Sequence, residues 1–125
     1  MTTNLSLPEQ VFDAIRLNNT GHFFEAHEAF ELTWRASESP QKEFFQALLW
    51  VSVLNYHLER GNLKGARKLV GRAYSRLTRY ENPPKHIDME GLIRALQRAR
   101  DILNRSTTGK PALSIGIPII IPIRG

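Results

Sequence analysis

The sequence predicts an all-α fold, a compact bundle of about five antiparallel helices made of two helical hairpins plus one, followed by an extended C-terminal tail. Three observations lead there. Apolar residues recur at helical spacing from Val11 to Leu103. The breaks between these stretches are short and carry turn chemistry, Asn18-Asn19-Thr20-Gly21, Ser37-Glu38-Ser39-Pro40 and Gly61-Asn62. After Asn104 the pattern changes to period two.

Pro8 suits the first turn of the first helix, whose apolar side is Val11, Phe12, Ile15 and Leu17. Thr20 is placed to cap the second helix, which runs through Phe23-Phe24 to Trp34-Arg35. Pro40 or Gln41 opens the third. Its run from Phe44 to Leu54 is apolar nearly all round, so this helix should be central and buried. Gly61 fits a left-handed C-cap and Asn62 an N-cap. The fourth helix extends from about Leu63 to Tyr80, with Ala66, Leu69, Val70, Ala73, Tyr74 and Leu77 inward. Pro83-Pro84 breaks the chain, and a fifth helix starts near Asp88 with Met89, Leu92, Ile93, Leu96 and Leu103 on one side. Turns this short favour antiparallel neighbours.

The two hairpins share a pattern at an offset of 40: Gly21, Phe23, Ala26, Phe30 and Trp34 align with Gly61, Leu63, Ala66, Val70 and Tyr74. Residues 1–105 form the helical domain. Residues 106–125 form a linker and a tail in which Leu113, Ile115, Ile117, Ile119, Ile121 and Ile123 share one edge. Pro118 and Pro122 remove backbone donors, so the tail is no central strand. Six aliphatic side chains left in water would be an aggregation hazard. The tail is therefore expected to pack on its own bundle or on a partner subunit, the latter giving a homodimer.

Composition narrows the function. The chain of 125 residues has no cysteine, which excludes a disulfide scaffold, a thiolate zinc site and a cysteine nucleophile. No apolar run reaches a membrane span, and the first residues lack the pattern of a signal peptide, so a cytoplasmic protein with no membrane partner is expected. Net charge is +5, unevenly spread: residues 1–59 hold three Lys/Arg against eight Asp/Glu, and residues 60–110 hold thirteen against four. Arg60, Lys64, Lys68, Arg72 and Arg76 repeat every four residues and form a basic face on the fourth helix. Partial pairing with the acidic second helix is the expected use of that face. Phosphate or nucleic-acid binding without sequence specificity is the alternative.

The residues that could hold chemistry lie on the second and third helices. Phe23, His27, Phe30 and Trp34 fall in one stripe, which places His27 on the face expected to be buried. Glu31 follows His27 by one turn, and Glu28 lies further round. A histidine and a glutamate at i and i+4 can share a hydrogen bond or a divalent metal ion. His27-Glu28-x-x-Glu31 has the shape of the zincin helix with its second histidine replaced by glutamate. On the third helix Gln46, Trp50, Val53 and His57 share a stripe, with His57 the candidate third ligand. Two readings follow. One is a structural or interaction module with a buried polar network, in which His27 bonds a carboxylate or amide. The other is a metal-dependent hydrolase with ligands His27, Glu31 and His57 and Glu28 as general base. Enzymatic activity stays open at this point. His22 and His86 carry no assigned role.

Taken together, Gly21-His22-Phe23-Phe24-Glu25-Ala26-His27-Glu28, Glu31 and Trp34, Phe44-Phe45-Gln46-Ala47-Leu48 through Tyr56-His57, then Arg60-Gly61-Asn62 and Gly65-Ala66, resemble the family numbered 309 among the domains of unknown function. The resemblance covers roughly residues 10–80. It implies a small all-helical bundle and a His-Glu-centred motif suspected of binding metal. The motif positions here are Glu25, His27, Glu28, Glu31, Trp34, Gln46 and His57. Trp50 stands where similar sequences lead one to expect a second polar residue, which makes the surroundings of Gln46 more apolar.

Overall fold

Five helices follow one another in the computed structural model: α1 (Glu9–Asn19), α2 (Phe23–Ala36), α3 (Gln41–Glu59), α4 (Leu63–Thr78) and α5 (Met89–Arg105). The structure describes residues 9–81, 84, 87–105 and 117–118. The expectations for Pro8, Pro83, His86, the linker from Ser106, and Leu113, Ile115, Ile119, Ile121, Pro122 and Ile123 lie outside the described residues. The predicted all-α bundle is what forms. Packing follows chain order: α1 lies on α2, α2 on α3, α3 on α4 and α4 on α5. The turns joining α1 to α4 are too short for anything but antiparallel neighbours.

The α1–α2 and α3–α4 turns are built alike. Gly21 and Gly61 both have positive φ, 88° and 73°. In each turn the amide after the glycine reaches back five residues, His22 N to Leu17 O at 2.8 Å and Asn62 N to His57 O at 2.8 Å. This is the Schellman ending of a helix, and a side chain at the glycine would be strained. The positions after the turn also match. Ala26 and Ala66 are both fully buried, Phe30 and Val70 are both in the core, and Trp34 and Tyr74 are both partly covered. The offset of 40 is thus a repeated hairpin geometry. Thr20 does not cap α2; its hydroxyl donates to the Arg16 carbonyl at 2.8 Å and closes α1 instead. Asn62 does cap α4, accepting from Gly65 N at 3.1 Å, and Asp88 caps α5, accepting from Gly91 N at 2.9 Å.

Helix α3 supplies most of the core, with Phe44, Phe45, Ala47, Leu48, Val51 and Leu54 buried. Two polar residues on the same helix, Ser52 and Asn55, are fully buried. At its start, the Ser39 hydroxyl donates to Glu43 Oε2 at 2.8 Å. That hydrogen bond, helped by the residue's own amide and by Arg76 and Lys42, holds the Glu43 carboxyl below the ordinary carboxylate range against an opposing desolvation effect.

The depressed Glu43 acidity has a signed consequence for stability. A carboxylate whose folded pKa lies below its unfolded value stabilises the fold above that unfolded value, and the contribution is lost as pH falls through the folded one. Glu43→Gln should therefore lower the urea midpoint at neutral pH and flatten its decline below pH 4.5. Equilibrium urea unfolding from about pH 3 to about pH 7 checks this; parallel pH profiles for the two proteins would contradict it.

Candidate functional site

The buried polar side chains converge at one place. Asn18, in the last turn of α1, is 2% exposed, and Ser52 and Asn55 of α3 are 0% exposed. A side-chain amide so placed must find partners or lose the hydrogen bonds that water gave it. The Asn55 Nδ2 donates to Asn18 Oδ1 at 2.9 Å, and the Ser52 hydroxyl donates to the same oxygen at 3.2 Å. The remaining groups turn to the tail. Asn55 Oδ1 accepts from Ile117 N at 2.7 Å, and Asn55 Nδ2 donates to Ile117 O at 2.9 Å. Asn18 Nδ2 donates to the same carbonyl at 3.1 Å. One asparagine thus takes both polar groups of a single residue's backbone, as a neighbouring β-strand would. Ile117, on the predicted apolar edge, is 4% exposed, and Pro118 is exposed.

Sequence reasoning missed this site. Asn18 passes for a helix-ending residue, and Asn55 lies just past the apolar run. The available signal was Ser52 and Asn55 three residues apart on a helix otherwise read as buried, since polar groups in a core need partners.

The residues that the sequence singled out separate into three groups. On α2, His27 Nε2 lies 3.8 Å from Glu31 Oε1, with side chains 31% and 32% exposed. The second oxygen of Glu31 accepts from Arg35 at 2.7 Å. Glu25 and Glu28 are exposed, and Glu28, Glu31, Leu32 and Arg35 border a shallow depression. The expected burial of His27 is corrected: the buried residues of α2 are Ala26, Phe30 and Thr33, so the buried face is rotated by roughly 60° from the Phe23–His27–Phe30–Trp34 stripe, with Phe30 common to both. Small side chains allow close helix approach along the contact line, and the bulky Phe23 and Trp34 flank it. The second group is Gln46, whose Oε1 accepts from Arg76 at 3.2 Å. Trp50 stands beside this pair with the Arg76 guanidinium 4.7 Å from its ring centre. The third is His57, which faces α4. Its Nδ1 lies 3.1 Å from Asn62 Nδ2, and a Cβ on Gly65 would fall 2.8 Å from the imidazole. The buried His/Glu network is therefore not what the core contains. Among the described residues no three His, Asp or Glu side chains converge to surround an ion, so His27, Glu31 and His57 are not brought together as ligands.

The basic face also departs from expectation. Helix α4 is packed on α3 and α5, not paired with acidic α2. Among the described residues the ion pairs are Arg16–Asp13, His27–Glu31, Arg35–Glu31 and Arg94–Glu90, and none involves Arg60, Lys64, Lys68, Arg72 or Arg76. Arg60 stacks on Tyr56 at 5.2 Å. Arg76 is the anchored member, donating to the Glu43 carbonyl at 2.9 Å.

The geometry defines a bundle of helical hairpins that carries an amide clamp between α1 and α3. Residues 11–69 match the family described as Domain of unknown function (DUF309), so the resemblance read from the sequence is shown over that stretch. The match contains Asn18, Ser52 and Asn55 together with the His27–Glu31 pair, and ends within α4. A search of curated proteins finds no match. Among the described residues no helix is long and apolar enough to cross a membrane.

Two stability measurements test these placements. His27 is about one-third exposed and makes no close hydrogen bond, so His27→Ala should change unfolding free energy by no more than about 1 kcal/mol. A larger loss would return His27 to the core. Gly65→Ala should destabilise by about 1 kcal/mol, because the new methyl displaces His57 and the Asn62 cap. In a His57→Ala background the same change should cost less, since the imidazole is then gone, the contact with Asn62 alone remains, and alanine is the better helix former. An unchanged effect in the double mutant would show that the imidazole is not what excludes a Cβ at residue 65.

Proposed function

We propose that the protein is an interaction module that holds an extended apolar segment against α1 and α3, with its own tail around Ile117 as the resident occupant. The observation that carries this reading is the pairing of Asn55 with both the N–H and the C=O of Ile117. Such a pair recognises an extended backbone rather than a side chain. Specificity is then left to the apolar pocket that covers the isoleucine. Residues 106–116 connect α5 to the clamped Ile117 segment, so the same contact made with a second copy would give a homodimer by tail exchange. A second reading, ion binding or hydrolysis at His27 and Glu31, has less support. Glu31 is already engaged by Arg35 and a third ligand is lacking among the described residues.

The test separates the clamp from the tail. A chain ending at Lys110 should have a lower Tm or a changed mass by light scattering. A synthetic peptide of residues 111–125 should bind it and restore its stability. Asn55→Leu in the truncated chain should abolish peptide binding, because the peptide's Ile117 amide would be buried without a partner, at about 1–3 kcal/mol, and its carbonyl would keep only the bond from Asn18. Equal peptide affinity for both truncated proteins would refute the clamp, as would a truncated chain with the Tm and mass of the full one.

A further inference from the structure

A second feature of the surface lies apart from the Asn clamp. An open cavity of about 450 Å³ runs along α4 beside Trp50 of α3. Four of its lining side chains are cationic, Lys68, Arg72, Arg76 and Arg79, and no carboxylate lines it. The Glu43 carboxylate lies within electrostatic reach of Arg76 but outside the cavity lining. The lining cations repel one another, and an anion in the cavity relieves that repulsion. None of the four is ion-paired with a carboxylate among the described residues.

Part of the site is already ordered. Arg76 is held by the Glu43 carbonyl, Gln46 and the Trp50 ring, and Arg79 Nε donates to the Ser75 carbonyl at 3.3 Å. Less side-chain entropy is then lost when a ligand arrives. Lys68 and Arg72 are exposed and unengaged, available as mobile donors. Gly71 lies between them on the cavity wall, in the interior of a helix where glycine is unfavourable by about 1 kcal/mol. A Cβ there would meet nothing within 4 Å. No neighbouring group requires a glycine at this position, and its lack of a side chain keeps the cavity open.

We propose that this cavity binds the phosphate groups of a multiply charged phosphate ester, with Lys68, Arg72 and Arg79 as donors to phosphoryl oxygens and Arg76 with Trp50 as the ordered wall. Planar guanidinium groups match phosphate geometry in two-pronged contacts. The chemistry is shared by a free nucleotide and by a nucleic-acid backbone, and the two sources differ in how many phosphates they present.

Isothermal titration of the full chain with pyrophosphate, ATP and a short single-stranded oligodeoxynucleotide, each at low and raised salt, tests the site. Pyrophosphate and ATP should compete. Arg72→Gln should weaken both by about tenfold or more, as for the loss of a charged hydrogen bond. Lys64→Gln removes the same charge from the same helix but outside the cavity and should change affinity less than about twofold. Gly71→Leu should raise Tm, because leucine favours the helix, while filling the cavity and weakening the ligand by about tenfold. Oligonucleotide binding that is tighter than ATP and equally sensitive to Gly71→Leu would support the site with a nucleic-acid backbone as its source. If Lys64→Gln costs as much as Arg72→Gln, or Gly71→Leu keeps full affinity for every probe, diffuse charge explains the binding and the site is refuted.

Discussion

The burial of Asn55 is the constraint on which the arrangement of the other parts depends. An amide at 0% exposure in the middle of a helix-packed core has two donors and an acceptor to satisfy. The backbone of α3 is already bonded to itself and offers nothing. The end of α1 supplies one acceptor through Asn18, and the backbone of Ile117 supplies the other two partners. Three segments far apart in sequence are thereby required to meet. Apolar burial alone would not specify this register, since an isoleucine can settle in many apolar grooves with similar gain. A hydrogen-bonded amide with two fixed partners accepts one position and penalises a slip by leaving buried groups unpaired.

The hairpins provide the scaffold that makes this precision possible. The glycines at 21 and 61 take the left-handed conformation and let each helix reverse in a few residues. Ala26 and Ala66, one turn after each reversal, let the returning helix approach closely. A loop much longer than these would leave the α1 terminus free to move, and Asn18 would no longer be held against α3.

Architecture was the legible part of the sequence. Period and turn chemistry report local backbone preferences, and those are what placed all five helices, the Gly61 and Asn62 caps and the inward residues of α4. Helix phase was harder to read on α2. Phe23, His27, Phe30 and Trp34 are larger and more conspicuous than Ala26 and Thr33, yet the small residues lie on the contact line. A rotation of roughly 60°, with Phe30 kept on the buried face, is enough to move His27 from core to margin. The Asn clamp was not legible because it joins Asn18, Asn55 and Ile117, separated by 37 and 62 residues in sequence. No local pattern encodes such a meeting. Read from the residues of α3 alone, Ser52 and Asn55 show that polar partners are needed but not where they come from.

Charge placement follows from the order of packing. The acidic stretch of the sequence builds α1, α2 and α3, and the basic stretch builds α4 and α5. With helices packed in chain order, acidic α2 and basic α4 lie on either side of α3 rather than against each other. On α2, Glu31 therefore finds its partners within its own helix, in Arg35 and His27. On α4, Arg76 turns instead to the Glu43 carbonyl, the Gln46 amide and the Trp50 ring. These partners order the guanidinium, and the nearby Glu43 carboxylate acts on it at a distance without forming an ion pair. A cation ordered by neutral groups keeps its full charge for an incoming anion, whereas one held in a salt bridge must first give up its partner. The apolar Trp50, placed where a polar residue was expected, contributes to this: its ring positions Arg76 and brings no compensating negative charge.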